Sequence, residues 1–404
     1  MYALVQGLPF TEAEMPADLA EKRAKVLTRV EKKAAAAAAP EQPVKPRTVN
    51  KSALKKKIEA QLKGLEVLET LVADVVRAGL GVLDAKAALA VDSQAKQLGD
   101  AFLPGAQGVL NELTALFRGS DGRYRTSLTT TERDALYREA LERLTRAHAI
   151  AKRGREYLER RLADAELTPD TGSSIAAWLG HAWQLSELEA LGCFEVNATL
   201  VQLSFECETN HARAQHIDMG VWVHLESGRL FRTLNFRPFK AAAHIRQEDS
   251  VFEAVSTPKL YIYPGEGAPR ARWEEAAPRP VTAADCGRIR QAAAHSVAEI
   301  VKAARDQLKT PLAAREVWVM IHFARLGKAG ARHFIEDNTG VRMELVDPFV
   351  DTRMPALPLL SALPPAAFAD QTLLGCVRQD WDRGRLVMEP AAMVTDTRVI
   401  RLGY

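Results

Sequence analysis

Residues 194–208, FEVNATLVQLSFECE, alternate in polarity and put Val196, Ala198 and Leu200 on one face. That is the two-residue period of an extended strand. Working outward from it, GVWVHLESGRLFRTLNF (220–236) reads as a hairpin turning at Glu226-Ser227-Gly228-Arg229. KLYIYPG (259–265) is a further strand closed by Pro264-Gly265. REVWVMIHFARLG (315–327), RHFIEDNTGVRMELV (332–346), TLLGCVRQDWDRGRLVMEP (372–390) and TRVIRLGY (397–404) alternate around Asn338-Thr339-Gly340 and Asp382-Arg383-Gly384. One amphipathic helix, capped by Thr282, is predicted over 282–308. Hairpins outnumber helices here, so residues 193–404 read as a mostly antiparallel α+β domain. VWVHLESGRLFRTLNFRPF (221–239) and HFIEDNTGVRMELVDPF (333–349) share one shape: strand, Gly turn, strand, Pro-Phe. The likeness raises a duplicated unit as a possibility.

Before Gly192 the period is helical. Leu54, Ile58, Leu62, Leu65, Leu68, Val72, Val75 and Val76 form one stripe. AGLG (78–81) stops it, a second helix runs over 82–102, Pro104-Gly105 breaks that, and a short helix follows over 106–117. Thr130 or Thr131 caps a long charged helix, and one more runs over 174–191. Residues 51–192 therefore read as a helical bundle. Residues 1–50 read as a basic arm with an Ala/Pro linker, because AAAAAAPEQPVKPR (34–47) forbids a continuous helix. Between Lys22 and Lys57 twelve basic residues face two acidic ones, about +10. The arm has three readings: a phosphate-binding tail, a dock for an acidic protein, or a solvated tail.

The whole chain of 404 residues is 26% charged and 47% hydrophobic with a formal charge of +3, a globular composition without a strong overall field. No run approaches the roughly 20 apolar residues of a bilayer span. The first residues lack a basic start and apolar core of a secretory signal. Four cysteines, Cys193, Cys207, Cys286 and Cys376, contain no C-x-x-C pair. Together these favour a reduced, cytoplasmic protein with no membrane partner.

No phosphate loop, dinucleotide fingerprint or nucleophile elbow is present, so the expectation is a non-catalytic protein with no cofactor. Cys207, His211 and His216, in FECETNHARAQH (205–216), are the one weak set of metal ligands. A polar inter-strand loop with a small buried Cys207 explains them better. The candidate nucleic-acid or partner-binding residues are Lys22, Arg23, Lys25, Lys32, Lys33, Lys55, Lys56 and Lys57 of the leader, then Arg232, Arg237, Lys240 and Arg246, then Arg270 and Arg272. The later ones interleave with Phe231, Phe236, Phe239 and Trp273, as a backbone-gripping, base-stacking surface would. A strand burying its Phe side while its cations reach solvent accounts for the same pattern.

SGRLFRTLNFRPFKAAAHIRQEDS (227–250), LYIYPGEGAPRARWEE (260–275) and AGLG with LGDAFLPGAQGVLNEL (98–113) resemble a bacterial family encoded beside SWIM zinc-finger, AAA-type ATPase and von Willebrand A proteins. The resemblance covers Leu68 to Glu275 in patches, and the SWIM pattern C-x-C…C-x-H is absent. It transfers no catalytic or binding residue. It implies an interaction or scaffold component of a bacterial multi-protein system, in stress response or defence, with the SWIM protein as partner. The alternative is a nucleic-acid-binding module using the arm and the Arg/Phe strand.

Overall fold

In a computed structural model, residues 51–82, 85–119, 122–125, 129–164, 167–348 and 355–403 are described. The class is α+β, helices first and two sheets after them. The basic arm lies outside the described residues.

The helical stripe at three- and four-residue steps becomes α1 (Lys51–Ala78), which buries Ile58, Leu65, Leu68, Val72 and Val75. It packs with α2 (Ala85–Asp100), α3 (Pro104–Leu116) and α4 (Thr130–Ala163) around Leu98, Leu110, Leu113, Leu144 and Ile150. Pro104 opens α3 at its first turn, where its missing N–H costs nothing. The cap of α4 is Thr129, one residue earlier than the sequence suggests, in a reciprocal box with Glu132. The helix expected over 174–191 is two short ones, α5 (Ile175–Trp178) and α6 (Leu185–Ala190), separated at Gly180, whose φ is +80°. Gln61 ties the bundle internally, donating to the carbonyls of Phe102 and Leu179 at 2.9 and 2.8 Å.

The first sheet contains β1 (Phe194–Asn210), β2 (Gln215–His224), β3 (Leu230–Pro238), β4 (Ala254–Ile262), β5 (Ala271–Arg272) and β6 (Ala277–Arg279). Its order is β3-β2-β1-β4-β5, with β6 on β4. The two ends meet: Arg232 and Arg270 form a parallel bridge, and Arg232 N donates to Pro269 O at 2.9 Å. Ala198, Leu200, Trp222, Phe231, Val255, Leu260 and Ala271 fill the barrel so formed.

Between the sheets the sequence predicts one helix over 282–308, but there are two, α7 (Ala283–Ala292) and α8 (Val297–Leu308). The break has a tertiary cause. Ala294 leaves the helix to bond the next strand, donating to Met320 O at 3.0 Å and accepting from His322 N at 2.8 Å. Thr282 caps α7 as expected, boxed with Asp285.

The second sheet contains β7 (Val317–Ala329), β8 (Arg332–Glu336), β9 (Arg342–Leu345), β10 (Ala369–Asp380), β11 (Arg385–Val394) and β12 (Val399–Arg401), with the short helix α9 (Leu357–Leu360) before β10. Its order is β10-β7-β8-β9-β11-β12, and β10 also pairs β11, which closes it. The β9–β11 contact is parallel, at Leu345 and Met388. Numbered from its own first strand, each barrel runs 1-2-3-5-4-1 with strands 3 and 5 parallel. This is the strand order of the OB barrel. The two look-alike hairpins, β2–β3 and β8–β9, hold the same place in the two barrels.

The barrels share a core. On β1 and β2 the side chains that point away from barrel one, Val201, Leu203, Met219, Val221 and Val223, pack with Cys286, Ile289 and Ala293 of the α7 segment. Their partners in barrel two are Trp318, Met320, Leu374, Cys376 and Ala391. The bundle docks on the segment entering β7: Trp178 Nε1 donates to Leu312 O at 2.9 Å, and Arg315 pairs with Glu142 at 2.8 Å.

Two glycines separate packing from propensity. A Cβ on Gly105 would be driven into the Trp178 carbonyl, whereas one on Gly287, in α7, meets nothing within 4 Å. Gly105→Ala should cost about 1–3 kcal/mol, and Gly287→Ala should gain about 0.5–1 kcal/mol. Urea midpoints of the two variants check this; equal shifts would contradict the packing described.

Candidate nucleic-acid interface

On β8 and β9 strand alternation sends Ile335, Met343 and Leu345 into barrel two. It sends Arg332, Phe334, Glu336, Arg342 and Glu344 outward. Cross-strand register sets Phe334 opposite Glu344 and Glu336 opposite both Arg342 and Arg325 of β7. Gly327 lies opposite Phe334, and a Cβ there would be 3.0 Å from the ring, so the glycine lets the ring lie over β7.

Two carboxylates organise the arginines of this face. Glu336 accepts from Arg325 at 2.8 Å and from Arg342 at 2.5 Å. The Arg342 bond, then the Arg325 bond, holds its carboxyl below the usual range, so it stays ionised. Glu344 pairs with Arg383 at 3.3 Å, with Arg332 at 3.9 Å and with Arg385. These five arginines face the two glutamates and Asp380, which pairs with Arg383 at 3.6 Å, a formal count of +2 for the set. The Arg342 guanidinium lies 4.6 Å over the Phe334 ring. Beside this face, the β10–β11 turn holds Trp381, 62% exposed, and Asp382, which pairs with Arg138 of α4.

The equivalent face of barrel one is closed, because Met219, Val221 and Val223 of β2 are buried against barrel two. The sequence-derived candidates in that barrel are accordingly scattered. Arg237 is buried, donating to Asp218 at 2.9 and 2.7 Å. Arg232 donates to Ala268 O at 2.8 Å and pairs with Glu316 at 3.3 Å. Arg270 donates to Leu234 O at 3.3 Å and lies over Tyr263 and Phe236. Lys240, Arg246 and Arg272 are exposed, as are Lys55, Lys56 and Lys57 on the first turns of α1. Lys22, Arg23, Lys25, Lys32 and Lys33 lie outside the described residues. The arginines of β8 and β9 were missed by sequence reasoning. Their signal is R-x-F-x-E followed by R-x-E, with His333, Ile335 and Met343 at the intervening positions.

Cys207, His211 and His216 do not converge on one point, although both histidine rings meet Phe239. Cys207 Sγ donates to Asp218 Oδ1 at 2.9 Å, His216 Nδ1 meets Thr209 Oγ1 at 3.1 Å, and the His211 ring stands edge-on to Phe239. Among the described residues no group of three His, Cys, Asp or Glu could hold a metal ion. Alternation suggests a buried Cys207, yet the residue is exposed, because β1 runs past the end of the barrel there. Desolvation of the sulfur and the Asp218 charge push its thiol up, away from thiolate chemistry.

No family model and no curated protein matches the chain. Among solved structures, a murine DNA binding protein bound with double-stranded DNA is similar over 50% of this chain and 97% of that one. The identity is 11% and the TM-score 0.23. Among the described residues no helix is long and apolar enough to cross a membrane.

Asp218 gives a pH test of barrel one. Burial alone would raise its pKa, but bonds from Arg237, Cys207, Glu248 N and Asn235 outweigh it and lower it. A depressed folded-state pKa contributes stability above the unfolded value, about 3.9, that is lost as pH falls below it. Asp218→Asn should therefore melt well below wild type at pH 7, with the gap narrowing below about pH 4. A gap that stays constant down to pH 2 would contradict the ionised Asp218–Arg237 pair.

Proposed function

We propose that the protein binds single-stranded nucleic acid across the outer face of β8 and β9. The observation that carries this is the set of five arginines fixed around Phe334 on the open face of barrel two. OB barrels in general use the face of their second and third strands for oligonucleotides, so the fold adds an argument by analogy. Guanidiniums held by Glu336 and Glu344 keep donors free for phosphate oxygens. The Arg342 guanidinium, stacked on the Phe334 ring, offers its outer plane to an unpaired base, which a duplex would keep stacked inside itself.

The basic stretch before Lys57 adds charge to the same polyanion reading. The reading suggested by family resemblance is a component of a bacterial assembly with a SWIM zinc-finger partner, and it remains a separate proposal. Affinity purification with and without nuclease divides the two: protein partners that survive digestion support the assembly.

Anisotropy of a labelled dT15 tests the binding reading directly. Affinity should fall linearly on a log–log salt plot, and dT15 should bind more tightly than a duplex of equal length. Arg332→Ala with Arg342→Ala should weaken binding and flatten the salt slope by about 0.7 per lost phosphate contact. Binding that ignores both salt and these substitutions would sink the proposal.

A further inference from the structure

Resting on that reading, we infer that Trp381 is the platform on which an unpaired base of the bound strand stacks, and that Arg138 of α4 positions it through Asp382. Tryptophan is a side chain that folding usually covers, since burial of a large aromatic is worth more than that of any aliphatic. Trp381 instead stands 62% exposed at the tip of the β10–β11 turn. Its neighbours in sequence, Arg383 and Arg385, belong to the Glu344 cluster, so the indole sits at the edge of the cationic face.

The turn that carries it is held from both sides. Asp380 accepts from Arg383 N at 3.2 Å, and Gly384 takes the left-handed conformation at φ +62°. Asp382, next to the indole, is tied to Arg138, which projects from the bundle. A ring presented on a fixed turn loses little freedom when a base lands on it. Barrel one supplies the contrast. In its corresponding loop the aromatic residue, Tyr263, is already covered by Arg270 at 4.6 Å. One barrel thus caps its own ring while the other leaves it open beside guanidiniums, which suits an aromatic base joined to phosphate.

The test separates bases from phosphates. The full chain is titrated with dT15 and with an abasic 15-mer that carries the same phosphates and no bases, at two salt concentrations. Wild type should bind dT15 roughly tenfold or more tightly than the abasic strand. Trp381→Ala should abolish that preference while leaving abasic affinity and salt slope unchanged, and Trp381→Phe should restore most of it. Asp382→Asn should lose part of the preference while abasic affinity holds or rises, because a negative charge leaves the edge of the face; general destabilisation would lower both. If Trp381→Ala keeps the full preference for dT15, the assignment of Trp381 is wrong and the arginine face stands. If wild type binds neither strand, the nucleic-acid reading and this inference fall together.

Discussion

The burial of Val201, Leu203, Met219, Val221 and Val223 against Trp318, Met320, Leu374, Cys376 and Ala391 governs the rest of the structure. Each aliphatic side chain taken out of water there is worth about 1.5–3 kcal/mol. The cluster makes the outside of one barrel part of a shared core. It removes from solvent the face that an isolated OB barrel would offer a ligand. It also fixes α7 between the barrels and, through Ala294, the start of α8. Barrel two is packed through β7, β10 and β11, so its β8–β9 side is the one left facing outward.

The proposed function rests on this asymmetry. Two barrels with one strand order carry different outer surfaces at equivalent strands. In barrel one β2 turns Met219, Val221 and Val223 outward and is covered. In barrel two β8 and β9 turn out Arg332, Phe334, Glu336, Arg342 and Glu344, with Arg332 and Arg342 exposed. The bundle reaches the β10–β11 turn beside this site through the Arg138–Asp382 pair.

Local grammar was legible in the sequence. The helical stripe of α1, the Thr282 cap, the hairpin turns and the α+β class all follow from period and turn chemistry. What was not legible is contact between distant residues. Each barrel closes through a parallel contact made at one residue pair, Arg232 with Arg270 and Leu345 with Met388, and neither leaves a trace in periodicity. The break between α7 and α8 likewise comes from β7 and not from a helix breaker. The site was half visible. Arg232 and Arg237 are an odd number of residues apart on one strand, so alternation alone forbids them a common face. The same rule places Arg332, Phe334 and Glu336 together, but only the fold shows that the arginines on that side, Arg332 and Arg342, are exposed.

Barrel two, and not barrel one, is the barrel proposed to carry the binding face. Hydrogen exchange followed by mass spectrometry, on the full chain with and without dT15, reads both faces at once. Exchange is expected to slow on binding in peptides covering 325–345 and 380–385, with those covering 215–238 unchanged. Slowing confined to 215–238 would show that the shared core opens and that the assignment of the two faces is reversed.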